Sequence, residues 1–483
     1  MTITNSKWFA LTILMAAPLL SVLDVFIINV AIPSIKRGIH AKDGEVQLVI
    51  ALYLLGYASF QITSGRAGDY LGRKRVFIAG MFLFTFFSCL CGFSHTPVEL
   101  IIFRFFQGVS AAIMTPQTIA MMQLIFPGPK ERTKAVGFYG MVMGLATIMG
   151  QFLGGFLSDN HFSIPGWRLI FFVNLPVGII AIVAAAIFLK ETTKNKNDQP
   201  DYYGAGILTA CLFSLIIPLI IGREQGWPLW SFGLLAFSLL SFCYFIKDQQ
   251  DKLTTGLAPL VNMSLFKIKD FNRGIITVVF YFTMHTSYLL MISIYLQNGL
   301  QINAYQNGLF FVVFGLSASV SSFLSIRAVS VYGKKVLQAG AVMMLVSFFL
   351  QSVYLNKQSS YLNIFFQMGF YGFGGGIVLP SLLNMALRSV PLKFAGAASG
   401  IYATVQQASS ALGISIIGGI FYHILGNAGG KSANYNSAFH YGLAAEIGCI
   451  LVVSFLLYKL PQNEKSAVTD ATKSGQKITA LNH

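Results

Sequence analysis

Asp24 stands in a mostly apolar run between Leu19 and Pro33. In a lipid-crossing helix an unpaired carboxylate costs several kcal/mol, so it must find a cation or carry a proton. A group that trades pairing for protonation is a proton carrier. Arg104 supplies the cation: it lies in another long apolar run, roughly 10 Å in from its outer end at the helical rise of about 1.5 Å per residue, a depth similar to that of Asp24. If the two runs line one cavity, the charges can meet. A salt bridge that opens when Asp24 is protonated would couple proton movement to a change of shape, and a static pair that fixes packing is the plainer alternative. Glu446 is the other acid well inside an apolar run.

The elements that must position these charges are membrane helices. Of the 483 residues 55% are hydrophobic and 10% charged, and the mean hydropathy is +0.67, which excludes an ordinary water-soluble globule. Lipid forces a spanning segment to satisfy its own backbone, and the short alternating segments of a barrel are absent, so the chain is all-α and polytopic. Runs able to cross roughly 30 Å of hydrocarbon number about fourteen, from the first near 9–31 to the last near 438–458. Cys89, Cys91, Cys211, Cys243 and Cys449 have neither zinc-site nor disulfide spacing and read as packing residues. No cofactor or metal site is expected.

Basic residues orient the spans. With both termini cytoplasmic, 25 of the 33 Lys and Arg fall on the inner side, in the pattern expected of a multi-pass protein of a bacterial cytoplasmic membrane. The net charge of +16 therefore needs no nucleic-acid partner: it marks a face that touches anionic lipid.

The loop Gly65-Arg66-Ala67-Gly68-Asp69-Tyr70-Leu71-Gly72-Arg73-Lys74-Arg75 returns in degraded form 261 residues later, as Arg327-Ala328-Val329-Ser330-Val331-Tyr332-Gly333-Lys334-Lys335. The offset divides the chain into an N-terminal six-helix half at 1–190, an inserted helix pair at 191–250, a cytoplasmic connector at 251–273, a C-terminal six-helix half at 274–460 and a polar cytoplasmic tail at 461–483. Two such halves around a central path suit a rocking transporter. Gly65 and Gly72 permit tight turning; Asp69, with Arg66 and Arg73, is placed to clasp the neighbouring half at the cytoplasmic face, while a purely topological role is the alternative. Ser330 replaces the acid in the second copy. The inserted pair is expected to pack peripherally and to offer no buried charge.

At this point the chain resembles the major facilitator superfamily, and within it the 14-helix drug:proton antiporter family of bacterial multidrug exporters. The resemblance rests on Gly65 to Arg75, on Leu23-Asp24-Val25-Phe26-Ile27-Ile28-Asn29-Val30-Ala31-Ile32-Pro33, on Arg104-Phe105-Phe106-Gln107-Gly108, and on Trp167 to Gly178. It implies a major facilitator fold and proton-coupled export. The fifth-helix motif of the family is present as Gly144-Leu145-Ala146-Thr147-Ile148-Met149-Gly150-Gln151-Phe152-Leu153-Gly154-Gly155. Here Gln151 takes the proline position, so the kink is lost while Gly144, Gly150, Gly154 and Gly155 still permit close helix packing. Phe26 stands where a threonine is usual, implying an altered pocket. By the same resemblance the helix of Glu446 lies away from the pathway.

Polar side chains are costly to expose to lipid and tend to face the bundle interior. Asn29, Tyr53, Tyr57, Gln61, Gln107, Met114 and Gln117 in the first half, with His285, Tyr288, Asn384, Gln406 and Gln407 in the second, are therefore the candidate substrate cavity. Asn384 and Gln407 suit interhelical hydrogen bonds equally well, and His285 suits a satisfied core position. The function expected is antiport of protons against lipophilic, monocationic or neutral compounds, by a protein that works as a monomer. Movement of one specific metabolite or lipid is the alternative that Gln151 keeps open. No convergent catalytic group or phosphate-cradling loop points to an enzyme.

Overall fold

The computed structural model describes residues 7–159, 164–192, 201–387, 389–390, 395–426 and 432–459. Within them run α1 (Lys7–Leu14), α2 (Ala16–Gly38), α3 (Asp43–Leu71), α4 (Arg73–Phe93), α5 (Pro97–Ile125), α6 (Pro129–Asp159), α7 (Gly166–Phe172) and α8 (Asn174–Phe188). There follow α9 (Tyr202–Ile217), α10 (Leu229–Thr254), α11 (Lys269–Ile294), α12 (Ala304–Tyr332), α13 (Lys334–Tyr354), α14 (Tyr361–Leu387), α15 (Ala395–Gly426) and α16 (Ser432–Tyr458), and no strand occurs among the described residues. Fourteen segments are long and apolar enough to cross a membrane, with α1 and α2 forming one and α7 and α8 another. Large apolar side chains such as Phe82, Ile180, Leu240, Phe323 and Phe366 remain exposed on the outside of the bundle, as lipid-facing positions must.

The repeat is written into the helix ends. Helix α3 begins and ends 261 residues before α12, and α4 likewise before α13. Each pair of helices turns on a glycine in the left-handed region, Gly72 at φ 104° and Gly333 at φ 58°, where a side chain would be strained. Helices α2 to α8 pack mainly among themselves, α3 on α5 and α4, α2 on α6, and α8 on α4, while α11 pairs with α15, α12 with α14, and α13 with α14 and α16. The two groups meet along α3 and α15, α6 and α12, and α2 and α11. Helix α6 bridges them through its small residues: Gly150 and Gly154 lie against the Leu23 and Ile27 carbonyls of α2, Gly155 against Ala304 and Gly308 of α12, and Gly144 against Ser319. Between these contacts Gln151 is fully buried with both amide atoms unpartnered.

The inserted pair departs from expectation. Helix α9 packs on α3 and α15 as well as on α10, and at its start Asp201 is buried after all. Its carboxylate accepts from the Gly204 N–H (2.8 Å), Gln249 Nε2 (3.1 Å), Lys252 Nζ (2.9 Å) and the Leu260 N–H (3.1 Å). Gln249 in turn accepts from the Val261 N–H at 2.8 Å, and Arg66 donates to the carbonyls of Ala258 and Pro259. The connector is thus tied to the inserted pair on one side and to the repeated loop on the other. Burial is the largest single influence on Asp201 and would raise its pKa, but the Gly204 N–H, Lys252 and Gln249 together outweigh it and hold the carboxyl below its ordinary value. A depressed carboxylate stabilises the fold above the usual carboxylate range and loses that contribution as pH falls through its folded pKa. Asp201→Asn should therefore destabilise the detergent-solubilised protein by roughly 1–3 kcal/mol near neutral pH and speed tryptic cleavage after Lys252 and Lys267. The wild type should converge on the variant in acid, and a melting difference that stays constant with pH would refute the assignment.

Candidate functional site

Asp24 and Arg104 form an ion pair in the interior of the first helix group, and both side chains are fully buried. The pair is built from several helices. Glycines let α3 and α5 approach closely, since a Cβ on Gly56 would strike the Phe105 carbonyl and one on Gly108 the Tyr53 carbonyl. That approach lays the Arg104 guanidinium 4.1 Å from the centre of the Tyr53 ring and brings its Nε to 3.3 Å from the Val49 carbonyl. Arg104 and Gln107 lie three residues apart on one face of α5, so Arg104 Nη1 also donates to Gln107 Oε1 at 2.9 Å.

The carboxylate is met by further donors. Gln107 Nε2 reaches Asp24 Oδ1 at 2.9 Å, and Asn174 Nδ2 reaches the same oxygen at 3.1 Å while also donating to Ser88 Oγ at 2.9 Å. Asn174 is the first residue of α8, aimed inward by the break after α7. Ser88 is fixed by donating to the Phe171 carbonyl at 2.8 Å. One charge of each sign, charge-assisted bonds and an aromatic face offset the desolvation of both ions. Arg104 Nη2 and Asn174 Oδ1 are left without partners.

The other predicted residues are dispersed. Tyr53 and Gln107 join the charge network, and Tyr57 is buried with its ring edge-on to Tyr53 at 6.2 Å. Met114 is buried against Gly80 of α4, and Gln117 packs on Gly68 and donates to the Ser64 carbonyl at 2.7 Å, at the α3–α5 seam. Gln61 is half-buried with its Oε1 unpartnered. Asn29 is buried where α2 meets α11, its carbonyl accepting from Ser293 Oγ at 2.8 Å, and the Val30 carbonyl accepts from Gln297 at 2.9 Å. In the second group, His285 and Tyr288 are buried among aromatic rings, and Gln406 and Gln407 are half-buried. The side chain of Asn384 lies outside the described residues. In the repeated loop Asp69 is ion-paired with Arg73 of its own half, Gly65 lies near Pro116, and Gly72 makes the turn. Glu446 is fully buried, accepts from Ser287 Oγ at 2.8 Å, and keeps its other oxygen unpartnered.

Asn174 and Ser88 were missed as site residues. Asn174 stands within the stretch from Trp167 to Gly178, where an amide in an apolar run is the available signal; Ser88 carries none. Among the described residues no group of His, Cys, Asp and Glu could hold a metal ion.

The family described as Major Facilitator Superfamily matches residues 14–414 and again 274–482. The chain is 31% identical over 425 residues to a probable actinorhodin transporter of Streptomyces coelicolor, covering 87% of this chain and 73% of that one. It is 27% identical over 398 residues to multidrug resistance protein Stp of Mycobacterium tuberculosis, covering 82% and 73%. Its fold is similar to the crystal structure of a D-xylose-proton symporter, with a TM-score of 0.66 at 14% identity over 95% of this chain and 99% of the other.

Proposed function

The chain belongs to the major facilitator superfamily and is a membrane transporter rather than an enzyme, and from that premise we propose that it is a proton-coupled antiporter exporting lipophilic compounds, monocations among them, across the cytoplasmic membrane by alternating access. The observation that carries this reading is the fully buried Asp24–Arg104 pair. In this conformation neither ion touches solvent, so proton exchange must wait for a different arrangement of the helices. Protonation weakens the attraction for Arg104, the network opens, and the change in its packing biases one orientation of the halves over the other.

The halves are residues 1–190 and 274–460, with the inserted pair and connector between them and the tail beyond. Both termini face the cytoplasm, where the basic loops meet anionic lipid, and the protein works as a monomer. Asp69, Arg66 and Arg73, with the turn at Gly65 and Gly72, set the balance of the cytoplasmic gate, and the tie from Arg66 to the connector supports that role. The sequence relatives, one named as a probable actinorhodin transporter and one as a multidrug resistance protein, support export of drug-like compounds. A second reading, transport of one specific metabolite or lipid, is favoured by one observation: Gln151 keeps an unsatisfied amide in the seam between the halves.

Purified protein in liposomes should move a lipophilic cationic dye or quaternary amine against its gradient when protons flow the other way, and should stop when an ionophore collapses the proton gradient. Dye movement indifferent to the ionophore would remove the coupling. Uptake of one metabolite with no response to any lipophilic compound would leave the second reading.

A further inference from the structure

Counted through the repeat, Asp24 has a counterpart in the second half. The first span ends at Gly38 and its mate at Gly299, and the same 261-residue offset that relates α3 to α12 carries Asp24 onto His285 and Tyr53 onto Phe314. Helices α5 and α14 are related by 264 residues. The packing fixes that register: Gly108 lies against the Tyr53 carbonyl as Gly372 lies against the Phe314 carbonyl, and Gly56 faces the Phe105 carbonyl as Ser317 donates to the Gly369 carbonyl. The register sets Tyr371 opposite Gln107 and Met368 opposite Arg104.

The contacts follow the same plan. Asp24 is bonded to Gln107; His285 Nδ1 lies 3.0 Å from Tyr371 Oη. The His285 ring sits 6.1 Å from that of Phe314, the mate of Tyr53. We propose that His285 is a second proton-binding site, the repeat-mate of Asp24, and that each half of the transporter gains one positive charge when its site takes up a proton. The proposal rests on the antiport reading. Its electrostatic logic comes from the exchange of partners: in the first half a neutral Asp–Arg pair becomes cationic on protonation, and in the second, where Met368 replaces the arginine, a neutral imidazole does the same.

The surroundings suit an imidazolium. The rings of Tyr281 (centroids 5.5 Å, 18°) and Tyr371 (6.1 Å, 12°) lie nearly parallel to it, and the Nδ1–H form donates to Tyr371 Oη, an acceptor that an imidazolium keeps. The titratable groups around it are Tyr281 and Tyr288 on α11 itself, Tyr371 on α14, Tyr402 of α15 within electrostatic reach of Tyr281, and Glu446 of α16 within reach of Tyr288 and Tyr371. From α13 comes the neutral Gln351, which accepts from Tyr288 Oη at 3.0 Å. Burial opposes the charge, so the site binds its proton in the conformation that brings water nearer. A cationic substrate bound between the halves would repel the charged ring, which makes proton and cargo compete.

The test is histidine-labelled protein in detergent. The chain has seven histidines, and the resonance absent from His285→Gln is that of His285. It should titrate within the pH range in which the protein stays folded and shift its midpoint when a lipophilic cation is added. In liposomes His285→Gln should carry roughly one proton fewer per substrate moved than wild type. A resonance that stays unprotonated at every pH with and without the cation, or an unchanged proton ratio, overturns the proposal. If His285→Gln does not fold, Tyr371→Phe keeps the ring and removes the hydroxyl that His285 meets, and it should move the midpoint of one histidine resonance; a set of histidine midpoints identical to that of wild type likewise overturns the proposal. The ionophore control separates the two ideas: wild-type dye movement indifferent to a collapsed proton gradient discards the antiport reading, whereas the titration of His285 is scored independently.

Discussion

Asp24→Asn protein is expected to reach the membrane folded and to bind cargo, yet to move it only downhill, with proton-driven accumulation reduced to that of empty vesicles. Asparagine keeps an acceptor for Gln107 and Asn174 in place of the carboxylate oxygen that now receives both. Arg104 loses its anion but retains Gln107 Oε1, the Val49 carbonyl and the Tyr53 face, so its charge is not left bare. What disappears is the capacity to exchange a proton. Substrate binding to wild type should release protons in an unbuffered assay, and the variant should release fewer. Uphill transport at the wild-type rate would make the pair structural and pass the coupling role to Glu446 or another group.

The second large effect concerns stability. Arg104→Ala leaves a buried carboxylate with only the neutral donors Gln107 and Asn174 and opens a void beside Tyr53, so the protein should lose about 3–5 kcal/mol, seen as a lower melting point and poor accumulation. The double variant Asp24→Asn with Arg104→Met should recover much of that loss, because both charges are gone and the thioether fills part of the space. The non-additivity is the signature of a coupled buried pair. Additive losses would mean that the charges are solvated independently, contrary to their burial. Arg104→Lys should fold but couple weakly, since an ammonium cannot serve Asp24, Gln107 and Val49 with the geometry of the planar fork.

Much of this architecture is legible in the residues because lipid leaves few choices. A run of some twenty apolar residues in a bilayer has to become a helix, and the fourteen runs reappear as fourteen segments with the expected order. The echo between Gly72 and Gly333 is legible for a similar reason: a left-handed turn between two helices selects glycine, and it survives where the acid of the loop has been replaced by Ser330. Even the meeting of Asp24 and Arg104 follows from equal depth and from the cost of leaving either charge alone. Depth along a helix can be counted; rotation about its axis cannot.

Rotation and lateral packing therefore separate what the chain declares from what only its folding decides. By itself the sequence determined the number of spans, the repeat and the two charges of the candidate site, since each depends on local composition or on a linear distance. The tertiary structure decided that Asn174 and Ser88 complete the Asp24 network, that Tyr53 lies beneath Arg104, and that Gln117 packs in a helix seam. It also decided that Asp201 is buried and binds the connector, and that His285 meets Tyr371 as Asp24 meets Gln107. Those contacts join residues separated by tens to more than a hundred positions. They are set by which glycine faces let two helices approach and by how far each helix turns before its polar groups find partners.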